Sequence, residues 1–247
     1  MRRAEPCLQL DVGNSSAKWR LLHAGNVVAR GRYRDDDPAS REALLACTDD
    51  VQQIWVSSVA SAERNADLAE RFSQRWAVQA WFAKTAARTG TLCNSYAAPE
   101  RMGVDRWLAM LGAINKRSGR VAVIDAGSAL TIDIVAASGQ HEGGYIIPGP
   151  DLMERALLLD TDRVRFAEDV DYALCPGHST AEAVRHGIAI AQAGSVKLVL
   201  ERADIVPEQC LFCGGGAEVL TGLLGIEATM APDLVFEGLE IMAGLGG

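Results

Sequence analysis

The chain has 247 residues, of which 49% are hydrophobic and 23% are charged, a balance typical of a folded globular protein and unlike that of a disordered or fibrous one. The net charge of −8 and the isoelectric point near 5.1 argue against nucleic acid as a partner, because an acidic protein repels a phosphate polymer. No apolar run has the length of a signal peptide or a membrane span, so we expect a cytoplasmic protein that does not bind membranes.

The first part of the chain alternates β-type and helical patterns. Three short β-type runs come first, and the Gly-Asn pairs between them predict a three-stranded meander. A helix, an apolar strand, a second helix and a further strand follow, which gives the order βββαβαβ. The predicted strands are 7–11, 18–24, 26–33, 53–59 and 78–82, and the predicted helices are 38–48 and 62–76.

The second part of the chain repeats this order. Its predicted strands are 121–127, 129–137, 143–149 and 210–213, and its predicted helices are 151–160, 179–203, 217–223 and 234–243. The long helix 179–203 begins with the capping box Ser179-x-x-Glu182. The recurrence of one order of elements predicts two lobes of similar structure.

A short Asp-x-Gly pattern recurs at the same place in each lobe, after the first strand. We name residues 11–16 the first Asp-Gly turn and residues 125–129 the second Asp-Gly turn. The repetition predicts an α/β protein with two duplicated, ribonuclease-H-like βββαβαβ lobes, residues 1–118 and 119–247. This is the actin-like ATPase fold of the sugar-kinase, actin and heat-shock-chaperone superfamily, which implies a nucleotide in the cleft between the lobes.

The first Asp-Gly turn suits a phosphate group. Glycine lets the backbone approach closely, successive N–H groups point into the bend, and hydroxyl groups add donors. Asp11 is expected to hold Mg²⁺ through water, because a carboxylate that touches phosphate directly is repelled, and Lys18 supplies the opposite charge. A plain β-turn with a solvated acid remains the alternative.

The second Asp-Gly turn places Asp125 in an otherwise apolar segment. An unpaired carboxylate is costly there, so a cation or a hydrogen-bond donor must face it. Ser128 can reach a phosphate oxygen of the nucleotide. Alternatively, the two residues form a self-contained Asx turn.

Residues 96–106 present an aromatic hydroxyl at Tyr96, then a turn, and then Asp105 and Arg106 at the start of an apolar helix. In the functional interpretation, Asp105 is a general base for a substrate hydroxyl and Arg106 binds a carboxylate in bidentate fashion. In the structural alternative, Asp105 is an acid favoured by the helix dipole and Arg106 is a surface charge.

Six cysteines without a framework pattern predict free thiols in a reducing compartment. Cys210 and Cys213 with Cys175 and His178 would supply four zinc ligands. However, 210–213 has the pattern of a buried strand, in which residues three apart point to opposite faces. We therefore expect small core residues rather than a zinc site.

Six motifs carry a resemblance to a known family: DVGNS, YAAPERMGVDR, DAGSALTID, GGYIIPG, HSTAEAVRHG and GGGAE. In this order, and over nearly the whole chain, they resemble the type III pantothenate kinases. The resemblance implies transfer of the γ-phosphate of ATP to the primary hydroxyl of pantothenate, the first step of coenzyme A biosynthesis. It also implies a homodimer whose active site is completed across the interface.

The resemblance further implies a role for particular residues. Asp105 is the implied catalytic base, and Asp125 the implied site of a monovalent cation, K⁺ or NH₄⁺. The implied pantothenate contacts are Tyr96, Gly103, Val104, Arg106 and Thr180. The implied ATP contacts are Asp11, Val12, Gly13, Asn14, Ser15, Ser16, Lys18 and Ser128. Ser15 and Ser128 stand where the family pattern has threonine, which keeps the hydroxyl and removes a methyl group.

Three other functions are alternatives to this one. A related kinase for a sugar or an acyl carboxylate would need a sugar-binding cluster of acids and amides, which the sequence lacks. A non-catalytic accessory protein for transcription is disfavoured by the acidic charge. An actin-like or chaperone-like module would need polymerisation surfaces or a peptide-binding domain.

Overall fold

The computed structural model describes residues 5–14, 16–160 and 164–245. The chain divides into two compact units, one formed by Met1–Asn115 with Leu234–Gly247 and the other by Lys116–Asp233. The C-terminal segment thus belongs to the N-terminal unit, whereas the sequence analysis assigns all of 119–247 to the second lobe. In the described ranges, every helix is too short or too polar to cross a bilayer.

The first unit contains a five-stranded mixed sheet in the order β3-β2-β1-β4-β5. Its first elements are β1 (Cys7–Val12), β2 (Ala17–His23), β3 (Asn26–Tyr33), α1 (Pro38–Leu45), β4 (Gln53–Ser58), α2 (Ala62–Trp76) and β5 (Ala80–Phe82). β2 pairs antiparallel with β1 and β3, while β4 pairs parallel with β1 and β5. The carboxyl ends of β1 and β4 therefore meet at one edge of the sheet, where the first Asp-Gly turn lies.

Helix α2 shows how the sequence determines a local element. The side chain of Ser61 accepts a hydrogen bond from the N–H of Arg64 and caps the helix start, and Ala77 ends the helix in a left-handed conformation. Leu68 and Phe72, one turn apart, are its buried residues and belong to the core of the first sheet. The predicted range 62–76 is confirmed.

A short hairpin and a long helix follow in the first unit. β6 (Arg88–Thr89) and β7 (Leu92–Cys93) pair antiparallel, and α3 (Val104–Lys116) comes after them. Nearly all of α3 from Val104 to Ala113 is buried. The sequence predicted α3 as an apolar helix but did not predict the hairpin.

The second unit repeats the first. Its elements are β8 (Val121–Ala126), β9 (Ala129–Val135), β10 (His141–Pro148), α4 (Pro150–Asp160), α5 (Thr180–Ala203), β11 (Cys210–Cys213), α6 (Ala217–Leu224) and β12 (Thr229–Met230). The sheet has the order β10-β9-β8-β11-β12, which matches that of the first sheet position for position. The predicted duplicated α/β fold is confirmed.

The last helix, α7 (Leu234–Leu245), packs closely against α3. A β-carbon at Gly112 would lie 2.5 Å from the carbonyl oxygen of Leu234, and one at Gly238 would overlap the carbonyl of Leu108. Only glycine permits this approach of two helix backbones.

Buried polar contacts also attach α7 to the first sheet. The guanidinium of Arg20, which is 5% exposed, donates to Gln9 Oε1 at 2.7 Å and to Glu240 at 2.5 Å. It also lies 4.6 Å from the ring centroid of Phe236. This network has no signal in the sequence, because its members lie at opposite ends of the chain.

Candidate active site

The first Asp-Gly turn places polar groups at the edge where β1 and β4 end. Asp11 is the register partner of Lys18 on β2 and of Ser57 on β4, and Ser57 Oγ donates to Asp11 Oδ1 at 3.0 Å. The N–H of Gly13 donates to the carbonyl of Ser16 at 3.0 Å and closes the turn. A carboxylate and a hydroxyl thus meet at this sheet edge, and Lys18 occupies the paired position on β2.

The remaining residues predicted in this turn differ in their exposure. Val12 is buried, and its carbonyl accepts the N–H of Val59 at 3.0 Å, whereas Asn14 and Ser16 are exposed. Ser15, also predicted as an ATP contact, lies outside the described residues.

Arg64, the third residue of α2, contacts the same turn and was not predicted from the sequence. Its Nη1 donates to the carbonyl oxygens of Gly13 at 2.8 Å and Asn14 at 3.1 Å. Its Nε donates to Asp35 at 2.6 Å. An arginine in a helical sequence pattern carries no signal for such contacts, which depend on the tertiary packing of α2.

Tyr96, Asp105 and Arg106 come together at the start of α3. Arg106 is only 6% exposed, and its Nη1 donates to the hydroxyl of Tyr96 at 3.0 Å. Asp105 Oδ1 accepts the backbone N–H of Arg106 at 2.8 Å. The alternative that makes Arg106 a surface charge is wrong, because a buried guanidinium requires partners.

Side-chain hydrogen bonds hold the segment before α3 in place. Asn94 Oδ1 accepts the N–H of Tyr96 at 2.9 Å, and Asn94 Nδ2 donates to the carbonyl of Ala86 at 3.3 Å. Thr85 Oγ1 donates to the carbonyl of Met102 at 2.9 Å. The polar cluster of Tyr96 and Arg106 is therefore supported by ordered backbone on both sides.

The second Asp-Gly turn lies against the glycine triplet that follows β11. Asp125 is half-buried at the end of β8, in register with Cys213 on β11. Gly214 has φ of +89°, and a β-carbon there would overlap both Asp125 Oδ1 and the carbonyl of Ala126. The N–H of Gly216 donates to that same carbonyl at 2.8 Å. The motifs DAGSA and GGGAE, distant in sequence, thus enclose one carboxylate.

Ser128 and Thr180 both have exposed side chains. Thr180 is the first residue of α5, while Ser179 caps the helix by accepting the N–H of Glu182 at 3.2 Å, as predicted. The carboxylate of Glu182 accepts the backbone N–H of His178 at 2.6 Å, which lowers the pKa of Glu182. Because Ser179 provides the cap, the hydroxyl of Thr180 is not needed for it.

The four residues that could supply zinc ligands, Cys175, His178, Cys210 and Cys213, differ in their burial. Cys210 and Cys213 are buried within β11, whereas Cys175 is exposed and its Sγ lies 3.8 Å from Nδ1 of His186. Across residues 5–14, 16–160 and 164–245, no three His, Cys, Asp or Glu residues form a group that could hold a metal ion.

Two solved structures share this fold at low sequence identity. A candidate 2-dehydro-3-deoxygalactonokinase from Sinorhizobium meliloti superposes with a TM-score of 0.64 at 15% identity, covering 96% of this chain and 97% of that one. A candidate Baf family transcriptional activator from Campylobacter jejuni gives 0.61 at 20% identity, again covering 96% and 97%. The fold and the paired Asp-Gly turns define a member of the actin-like ATPase and sugar-kinase fold class.

Sequence comparison identifies the family within this class. Residues 7–202 match the family model for type III pantothenate kinase. A type III pantothenate kinase of Hahella chejuensis is 39% identical over 238 residues, which cover 96% of both chains. That of Marinobacter nauticus is 35% identical over 240 residues, which cover 97% of this chain and 98% of its own. The chain belongs to the type III pantothenate kinase family.

Proposed function

We propose that this pantothenate kinase transfers the γ-phosphate of ATP to the primary hydroxyl of pantothenate with Asp105 as general base. The observation that carries the proposal is the cluster at the start of α3, where Asp105 adjoins Arg106 and its partner Tyr96. Phosphoryl transfer depends mainly on positioning and on neutralising phosphate charge. Asp105 accepts the hydroxyl proton late in an in-line reaction.

The pantothenate contacts in this proposal are Tyr96, Gly103, Val104, Arg106 and Thr180. Pantothenate offers a carboxylate and an amide, and a planar guanidinium such as that of Arg106 binds a carboxylate through two parallel hydrogen bonds. The hydroxyl oxygen of Tyr96 accepts a hydrogen bond from Arg106, and a phenol is the kind of group that can also donate to an acceptor on a substrate.

ATP binds, in the same proposal, to the first Asp-Gly turn with Lys18 and to Ser128 of the second turn. Asp11 provides hard carboxylate oxygens, which are the ligands that Mg²⁺ prefers, and its half-buried place beside Ser57 Oγ fits a water-mediated contact. Mg²⁺, when bound, supplies charge neutralisation for the phosphates. Lys18 binds phosphate oxygens as a point charge.

Asp125 is the proposed ligand of a monovalent cation, K⁺ or NH₄⁺. Its carboxylate lies beside the carbonyl of Ala126 in a cradle that a β-carbon at Gly214 would fill. Carboxylate and carbonyl oxygens suit an alkali cation, and a half-buried acid gains from such a neighbour.

A cytoplasmic homodimer completes the proposal. In the second unit, exposed apolar side chains provide a candidate interface: Ile146 on β10, Leu159 on α4, and Ile190 and Leu198 on α5 are each more than half exposed. Helix α5 carries two of these residues, whereas α3, the long helix that follows Gly103, is largely buried within the chain.

A coupled ADP-release assay with ATP, Mg²⁺ and pantothenate tests the proposal, run in K⁺ and in Na⁺ on the wild type and on Asp105→Asn. We expect turnover that depends on pantothenate and K⁺ and falls about 10²- to 10⁴-fold in the variant, the usual contribution of a general base. Near-normal kcat in Asp105→Asn would remove Asp105 from the mechanism. Absence of turnover in the folded wild type would favour a non-catalytic accessory protein.

A further inference from the structure

Arg64 is tied to the first Asp-Gly turn by contacts that the proposed reaction does not explain. Its side chain is 20% exposed, and one nitrogen, Nη1, reaches the carbonyl oxygens of both Gly13 and Asn14. We propose that Arg64 is a positioning residue for the nucleotide: it holds these two carbonyls on one side of the turn, so that the backbone N–H side faces the phosphates. This inference rests on the proposed function, which places ATP at this turn.

Because the peptide bond is planar, a contact that fixes the direction of a carbonyl group also fixes the direction of the N–H group that follows it. In a planar trans peptide the C=O of one residue and the N–H of the next point in opposite directions. When the carbonyl of Gly13 points toward Arg64, the N–H of Asn14 therefore points away from it. Gly13 tolerates many backbone conformations, so an external anchor selects one of them.

A second layer of contacts holds Arg64 itself. Its Nε donates to Asp35 Oδ2 at 2.6 Å, and the hydroxyl of Tyr33 donates to Asp35 Oδ1 at 2.5 Å. Burial opposes ionisation of Asp35, but the hydrogen bond from Tyr33 and the charge of Arg64 outweigh it and lower the pKa of Asp35. The result is a chain of contacts from Tyr33 through Asp35 and Arg64 to the turn.

This arrangement requires an arginine rather than any cation. The planar guanidinium contacts Asp35 with one nitrogen and the two carbonyls with another, whereas an ammonium group is a compact point charge on a flexible stem. Pre-ordering of the turn reduces the entropy lost when a nucleotide binds. Loss of Arg64 should thus weaken nucleotide binding and leave pantothenate binding unchanged.

The test measures Mg²⁺-ATP affinity by isothermal titration calorimetry without pantothenate, and kcat and both KM values by ADP release. Variants are Arg64→Gln, which removes the charge, and Arg64→Lys, which keeps it. We expect both to weaken ATP binding about 10- to 100-fold, the range for lost charged hydrogen bonds, with KM for pantothenate within about twofold of wild type. Asp35→Asn should give a smaller effect in the same direction.

Arg75→Gln is the matched control. Arg75 lies on the same helix and also contacts a carbonyl, that of Leu45, and a carboxylate, that of Asp49, but not the turn. It should lose stability without losing ATP affinity. If Arg64→Gln does not fold, Arg64→Lys carries the test.

The outcomes separate this inference from the function on which it rests. If the wild type turns over but ATP affinity is unchanged in Arg64→Lys and in any folded Arg64→Gln, the role of Arg64 is overturned and the proposed function stands. Equal losses of affinity for ATP and pantothenate also overturn it, because they indicate general damage. A wild type that binds no ATP and forms no ADP with pantothenate overturns both.

Discussion

Gly103 and Asp105 approach so closely that a β-carbon on Gly103 would lie 2.5 Å from Asp105 Oδ1. The other atoms near this point are farther away, with Val59 Cγ1 at 3.7 Å. The absent side chain at Gly103 is therefore what allows the carboxylate of Asp105 to occupy its position. Since that carboxylate ends a flexible side chain, a clash would move it rather than unfold the protein.

Gly103→Ala should accordingly separate activity from stability. We expect kcat to fall at least tenfold, because a general base displaced by an ångström loses its alignment, while the melting temperature changes by no more than a few degrees. ADP-release kinetics and thermal unfolding on the same sample check this. Normal kcat in a folded Gly103→Ala would show that the position of Asp105 is not critical.

The contact of Gly238 with Leu108 predicts the opposite result, a loss of stability rather than a loss of activity. A β-carbon at Gly238 would overlap the backbone of Leu108, which cannot move aside as a side chain can. Gly238→Ala should therefore lower the free energy of unfolding by about 1–3 kcal/mol or more, as overpacking does. Urea unfolding measures this difference.

Gly244→Ala is the matched control, because Gly244 lies on the same helix and a β-carbon there meets no atom within 4 Å. It should leave the free energy of unfolding unchanged or raise it by up to about 1 kcal/mol through helix propensity. Equal effects of the two substitutions would contradict the close packing of α3 on α7.

The elements that the sequence predicted well are those determined by neighbouring residues. The range of α2 follows from the cap at Ser61 and from an apolar stripe at helical spacing, and β3 follows from its turn and its alternation. β12, only Thr229–Met230, is defined by its pairing with β11 and has no local signal.

In the candidate site, too, the sequence predicted the residues of local motifs but not the contacts between distant segments. Motifs indicated Asp105 and Arg106, but only the folded chain shows Arg106 buried against Tyr96. The contacts of Arg64 with the first turn and of Gly214 with Asp125 join segments far apart in sequence. Spacing within a single sequence does not report such contacts.

Buried thiols predict a loss of stability at alkaline pH. Burial, together with the nearby charge of Glu240, raises the pKa of Cys7 from 9.0 to about 12, and burial raises that of Cys210 to about 11. In the unfolded chain the thiols ionise near pH 9, while in the folded protein they stay protonated. The stability that the protonated thiols contribute to the folded protein is thus fully present below pH 9, and it is lost as the pH rises toward 11 and 12.

Cys7→Ala tests this pH dependence. For each such thiol, the free energy of unfolding should fall by at most about 1.4 kcal/mol per pH unit in this window. Between pH 8 and 10.5, the free energy of unfolding of the variant should therefore decline less steeply than that of the wild type. Urea unfolding at several pH values gives the slopes, and the Cys7→Ala, Cys210→Ala double variant should flatten them further. Parallel slopes for wild type and double variant would contradict the prediction.

The buried contact between Arg106 and Tyr96 leads to a final prediction, about substrate recognition. Arg106→Lys keeps the charge but loses the planar fork, so we expect KM for pantothenate to rise about tenfold or more with KM for ATP nearly unchanged. Tyr96→Phe removes the acceptor of Arg106 Nη1 and should raise the same KM by a smaller factor.

Pantetheine, which lacks the carboxylate of pantothenate, provides the decisive comparison. If Arg106 binds that carboxylate, wild type and Arg106→Lys should turn over pantetheine with similar kcat/KM; a loss as large as that with pantothenate would mean that Arg106 supports the site without binding the acid.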